Sequence, residues 1–167
     1  SGNATVVNAT ALDLAASTVG GTLTATATTG AISQSGALDI NGTGTTTFSV
    51  TDTSQNITLF NPLNDFEGVV STTGYDVKLW TADTMNLGRA NVGGAYTVNA
   101  GTTIDDCDGT AAACAQRITG NALFQTHNAS SQITLDHANN SFGGTFTTVG
   151  GIGYTVNDSD SNGIVLE

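Results

Sequence analysis

The sequence predicts an all-β chain wound as a β-solenoid of about six to seven stacked coils, and three observations predict it. The first is internal repetition. TALDLAASTVGGTLTATA carries Leu12, Leu14, Val19, Gly20 and Gly21, and TMNLGRANVGGAYTVNA carries Met85, Leu87, Val92, Gly93 and Gly94 in the same frame. Leu87 follows Leu14, and Val92 follows Val19, at one constant offset of 73. NITLFNPLNDFEGVVSTTG and QITLDHANNSFGGTFTTVG align Ile57, Leu59, Phe66, Gly68 and Gly74 with Ile133, Leu135, Phe142, Gly144 and Gly150 at an offset of 76. Self-similarity at a nearly fixed period marks stacked units. The second observation is strand-period alternation in short Thr- and Val-rich runs, such as 22–26, 47–50 and 96–98, between clusters of Gly, Asn, Asp and Ser. The third is the lack of a long helical pattern: only the Ala-rich stretch 110–116 reads as helical, for one turn at most.

The elements follow in order along one domain, residues 1–167. Each long period divides into three shorter segments of roughly 20 to 27 residues, about one coil each. The first holds L-x-L and V-G-G and ends near Ile32, and again near Ile104. The second holds Leu38, Ile40, Phe48 and Val50, matched more loosely by Ile118, Leu123 and Phe124. The third holds I-T-L and F-x-G. The long periods are then three-coil units at about 8–80 and 81–156. A coil this short buries its apolar face only against the coils above and below, so Leu14, Leu59, Leu87 and Leu135 are expected to stack inward in columns about 4.8 Å apart per coil. Gly20, Gly21, Gly93 and Gly94 are expected at corners where the backbone turns sharply or takes positive φ. Phe66 and Phe142 are expected to plug the core just after a corner, and Pro62 to sit in a turn that needs no ladder donor.

Charge excludes some partners. Fourteen acidic residues stand against Lys78, Arg89 and Arg117, for a formal net charge of -11. That surface repels phosphate backbones and anionic lipid, so neither nucleic acid nor membrane insertion is expected, and it favours weak attraction of cations, calcium above all. No apolar run is long enough to span a bilayer as a helix, and with no initiating Met or signal-like segment in view the chain reads as mature or excised. Cys107 and Cys114 are the only cysteines. In an oxidising compartment they close a small loop within an excursion at 105–117; the alternative, a metal pair, makes a poor zinc site without a nearby His.

The frame L-x-L-x(4)-V-G-G-x-L/Y-T-x-x-A, followed by G-A-I or T-T-I, N/Q-I-T-L and N-D-F-x-G, resembles the repeat region of the large filamentous-haemagglutinin-like exoproteins, over most of residues 5–156. These are exported by the two-partner route and by related autotransporters. The resemblance implies a right-handed parallel β-helix, a secreted chain at the bacterial cell surface, and a role in adhesion, biofilm or contact with other cells. The cysteine loop and the Asp-rich end at 157–163 depart from the pattern.

Other constellations are weighed against this. Asp158, Asp160 and Asn162 with Gly163 form D-x-D-x-N-G, the opening half of a calcium loop, or else a plain polar turn before a terminal strand in 157–167. Asp105, Asp106 and Asp108 are a weaker second candidate. Polysaccharide-cleaving chemistry needs carboxylates clustered on adjoining coils, and Asp13, Asp39, Asp65, Asp76 and Asp136 fall in different segments. His127 and His137, the latter beside Asp136, read as solvent-facing or turn residues. Thr22, Thr24, Thr26, Thr28 and Thr45 to Thr47 suggest outward ladders that resemble the ice-binding faces of some antifreeze proteins, although the aligned segment 95–99 reads Ala-Tyr-Thr-Val-Asn. Asn3, Asn8, Asn41, Asn56, Asn128, Asn139 and Asn157 each open an N-x-S/T sequon. The expectation is a non-enzymatic rigid segment of an adhesin or fibre, bound through a cell-surface receptor or glycan or to like subunits. A self-assembling filament subunit, a polysaccharide-active enzyme and an ice-binding protein are the alternatives.

Overall fold

A computed structural model describes residues 2–107, 113–160 and 164–166. In the first half the strands are β1 (Ala4–Asn8), β2 (Leu12–Leu14), β3 (Ser17–Val19), β4 (Leu23–Ala27), β5 (Ile32–Gln34), β6 (Leu38–Ile40), β7 (Thr45–Val50), β8 (Ile57–Leu59), β9 (Asp65–Phe66) and β10 (Val69–Gly74). The second half holds β11 (Val77–Thr81), β12 (Met85–Val92), β13 (Tyr96–Ala100), β14 (Ile104–Asp106), β15 (Gln116–Ile118), β16 (Ala122–Thr126), β17 (Gln132–Leu135), β18 (Ser141–Phe142), β19 (Thr145–Val149), β20 (Gly153–Val156) and β21 (Val165–Leu166). Every pairing among the described residues is parallel and joins one coil to the next, as in β4 on β7 or β11 on β13. The chain is a β-solenoid of about seven turns.

Two long sheets carry the coil. The first runs β1-β4-β7-β10-β12-β14-β17-β20, and the second β2-β5-β8-β11-β13-β16-β19-β21; a short third sheet, β3-β6-β9, fills a corner of the first half. Alternation along each strand decides what is buried: Leu23, Ala25 and Ala27 of β4 point in, while Thr24 and Thr26 point out. Inward columns run in register, for example Leu14, Gln34, Leu59, Leu79, Val98 and Phe124 down the second sheet. Each buried Leu, Ile or Phe contributes roughly 1.5–3 kcal/mol, and none is covered by its own coil alone.

The four leucines of the repeated frame are all buried, but they do not share a side of the molecule. Leu14 and Leu59 stand in the second sheet, Leu87 and Leu135 in the first. The reason is coil length, which is not constant. One coil along the first sheet carries Thr24 to Thr47 and the next carries Thr47 to Ser71, whereas the following coils run only from Val70 to Leu87 and from Leu87 to Asp106. At these lengths an offset of 73 or 76 spans about three and a half coils, not three. Strands β4, β7 and β10 of the first sheet correspond to β13, β16 and β19 of the second, so each long period repeats the previous one on the opposite face. The excursion is also narrower than 105–117, because Asp105 and Asp106 belong to β14 and Gln116 and Arg117 to β15.

The frame glycines lie at corners, in bends that follow β3 and β12. At Gly21 and Gly94 the cause is close approach between coils rather than positive φ, which among the described residues occurs only at Gly150 and Gly151. A Cβ on Gly21 would stand 2.7 Å from the carbonyl carbon of Gly2, and one on Gly120 would stand 2.7 Å from that of Gly94. Phe66 and Phe142 plug the core as expected: Phe66 meets Phe48 edge to face at 6.0 Å, and Phe142 lies 4.8 Å from Phe146.

Candidate functional site

A cleft of about 440 Å³ is lined by Asp65, Phe66, Glu67, Asp83, Thr84, Asn86 and Thr102. Its acidic rim is built by register. Asp39 of β6 pairs directly with Asp65 of β9, which stacks two outward carboxylates one coil apart. Partial burial pushes the Asp65 carboxyl above its ordinary range, and the charges of Glu67, Asp83 and Asp39 push it the same way. Sequence reading keeps Asp39 and Asp65 apart; the register of β6 on β9 brings them together. Among the described residues no group of three or more His, Cys, Asp or Glu is close enough to hold one metal ion.

A second polar feature is internal and occurs twice. Asn64, fully buried after β8, donates from Nδ2 to Leu59 O (3.3 Å), Trp80 O (3.1 Å) and Gln34 Oε1 (2.9 Å), and its Oδ1 accepts from Leu38 N (2.9 Å) and Gln34 Nε2 (2.8 Å). Asn140, one period later, donates to Leu135 O (3.1 Å) and accepts from Gln116 N (2.8 Å) in the same way. Its remaining partner differs: Asp106 Oδ2, at 2.6 Å, stands where the first period has an amide. Asp106 also accepts Asp136 N (3.0 Å) and His137 N (3.3 Å). Burial raises its pKa, against the lowering effect of those three donors.

The sign of that shift fixes a pH dependence. A carboxyl whose folded-state pKa lies above the ordinary 3.8 favours the fold most below that value, and the contribution is lost as pH rises through the raised pKa. Asp65 acts in the same direction. The melting temperature is therefore expected to fall as pH rises from about 3.8 towards neutrality, and Asp106→Asn to flatten that slope; thermal melts of both proteins across the range check it.

The other sequence candidates fall as follows. Cys107 and Cys114 form a disulfide with Cα atoms 5.7 Å apart. Replacing both by Ser is expected to lower stability by roughly 2–3 kcal/mol, read from the denaturant midpoint. Asp158 is a capping residue: its Oδ1 accepts Phe142 N (3.2 Å) and Asp160 N (3.0 Å), while Asp160 accepts Ser141 Oγ (3.3 Å). Asn162 lies outside the described residues, as does Asp108. Asp13 accepts from Ser33 and Ser35, and Asp76 from Ala95 N.

The two histidines do not share a face. His137 is buried at the corner after β17, and its Nδ1 accepts Asn139 N (3.1 Å). His127 is exposed after β16 and stacks on Trp80 at 5.1 Å with planes 7° apart, closing over Asn99, while Phe60 packs at an angle on the same Trp at 5.0 Å. Two rings of the fold thus engage Trp80. That cluster seals the second sheet rather than offering an open stacking platform.

The threonine ladder gains regularity from the structure. The outward columns of the first sheet read Thr5, Thr24, Thr47 and Ser71, and Val7, Thr26, Ser49 and Thr73, in unbroken register over four coils. The segment 95–99, whose sequence interrupts the pattern, lies in the second sheet, where β13 pairs with β11 and β16.

A family model described as repeats of unknown function (DUF5649) matches residues 1–73 and again residues 74–149. The chain belongs to this family. No curated protein and no solved structure matches it. The boundary between the two DUF5649 repeats falls at the end of β10, so each repeat carries one Asn64-type node and one set of frame glycines. Because the repeat covers a half-integral number of coils, the second DUF5649 repeat shows on the second sheet what the first shows on the first sheet. The signals that sequence reading passes over are the aligned Asn64 and Asn140, which read as plain turn formers, and the Asp39–Asp65 pair.

Proposed function

We propose that the chain is a rigid repeat segment of a secreted bacterial surface adhesin or fibre of the filamentous-haemagglutinin-like kind, with a geometric rather than catalytic role. The observation that carries the reading is the parallel strand pairing that joins each of about seven coils to the next, with a core shared between every coil and its neighbours. Such a ladder resists extension, because pulling on the ends must strip backbone bonds coil by coil. The disulfide accords with an oxidising, extracellular setting. The partner is a cell-surface receptor or glycan, or like subunits in a fibre, met through sheet faces and corner loops. Calcium is a candidate stabiliser at Asp158 and Asp160.

Single-molecule pulling between the two ends tests this. Sequential release of coils, each lengthening the chain by about 70 Å for roughly 20 residues, is the expected record; a single collapse at low force contradicts a load-bearing role.

One observation favours a second reading. The cleft gathers Asp65, Glu67 and Asp83, with Asp39 paired to Asp65 one coil away, which supplies carboxylates on adjoining coils, and a raised Asp65 pKa suits a general acid in polysaccharide cleavage. Turnover of a polysaccharide that vanishes in Asp65→Asn, with melting not lowered, would establish the enzyme instead.

A further inference from the structure

We infer that the outer face of β1, β4, β7 and β10 is an ice-binding surface. The outward positions of these four strands are all Thr, Ser or Val: Thr5 and Val7, Thr24 and Thr26, Thr45 to Ser49 in alternation, and Val69 to Thr73 in alternation. No charged or aromatic side chain interrupts them. Register is kept from β1 to β10 without a bulge, and the first register shift comes where β10 meets β12, between Val70 and Thr72. The result is a grid in register, with side chains about 4.8 Å apart along the solenoid axis and about 6.6 Å apart along each strand, hydroxyl-bearing everywhere but Val7 and Val69.

Three properties choose the occupant. No hydrogen bond among the described residues engages the hydroxyls of Thr24, Thr26, Thr47, Ser49, Ser71 or Thr73, so each keeps a donor and an acceptor for an outside partner. The β-branched threonines have stiff χ1 angles and sit on a rigid ladder, so ordering them costs little on binding. The face carries neither charge for an ionic ligand nor a ring for a sugar to stack on. What remains is a partner that is itself uncharged, periodic in two dimensions and able to bond every hydroxyl, which is the surface of crystalline water. The methyl groups between the hydroxyls disfavour liquid hydration of the gaps and leave the lattice as the better neighbour.

The inference is independent of the adhesin reading, because the load-bearing ladder stands whatever this face binds. Inhibition of ice recrystallisation by the purified chain is the test, alongside Thr47→Lys at the centre of the grid and Thr97→Lys on the second sheet as the control, with melting temperatures to check folding. The expected result is inhibition by the wild type and by Thr97→Lys, and at least a tenfold loss in Thr47→Lys with its melting temperature kept. Absence of inhibition by the wild type, or equal loss in both variants, overturns it. So does wild-type dimerisation in sedimentation that Thr47→Lys abolishes without any effect on ice, which would make this face a contact between copies.

Discussion

Asn140→Ala is expected to destabilise the fold by about 3–5 kcal/mol at neutral pH, the cost of leaving a buried charge and two buried backbone groups without their partner. The side chain removed bonds Asp106 Oδ2, Leu135 O and Gln116 N, and both Asn140 and Asp106 are fully buried. The Asn140 amide is also one of the donors that hold the Asp106 pKa down, so its loss raises that pKa further. By the sign argued above, the penalty shrinks as pH falls and Asp106 takes up its proton. Asn64→Ala removes the equivalent node, whose partner is the neutral Gln34 amide, and its cost should not vary with pH. Denaturant titrations of the two variants at acid and neutral pH separate them. A loss in Asn140→Ala that is the same at both pH values would show that Asp106 is not the group responsible.

Phe124→Ala is expected to cost about 3–5 kcal/mol, mostly as an unfilled cavity. Phe124 is fully buried on the second sheet and joins three rings: Tyr96 at 5.7 Å, Phe146 at 5.4 Å and Phe142 at 6.2 Å. Those rings come from β13, β19 and β18, so one truncation loosens three successive coils. Because coils bury each other rather than themselves, the damage should spread along the axis. Hydrogen exchange should report faster opening across residues 96–100 and 145–149 as well as at 122–126; an effect confined to β16 would contradict the shared core.

How much of this is legible in the sequence follows from what each signal measures. The inward leucines, the corner glycines, the plugging phenylalanines and the disulfide are readable, because each depends on local alternation or on spacing within one coil. The half-coil offset is not. It depends on the remainder left when 73 or 76 is divided by coil lengths that change along the first sheet, from the long step between Thr47 and Ser71 to the short one between Val70 and Leu87. Those lengths are set by corners that sequence pattern does not measure. The remainder sends Leu14 and Leu87 to opposite sheets and hides the regularity of the threonine grid. The Asn64 and Asn140 nodes are visible as an aligned pair, yet an Asn before Asp-Phe or Ser-Phe reads as a turn former. Only the burial of both reveals a side chain that ties together three segments of the chain. Asp39 and Asp65 stand far apart along the chain, and a register one coil long brings them side by side.

The central claim is that each repeat winds three and a half coils, so that β12 follows β10 on the first sheet. Cysteine cross-linking tests it directly. In the structure Val69 of β10 faces Asn86 of β12 as an outward in-register pair, at a separation of about 4.8 Å that suits a disulfide. Val69→Cys with Asn86→Cys should link on mild oxidation, seen by peptide mapping, while Thr58→Cys with Asn86→Cys should stay open. Cross-linking of the Thr58 pair in place of the Val69 pair would seat β12 beside β8 and contradict the half-turn solenoid.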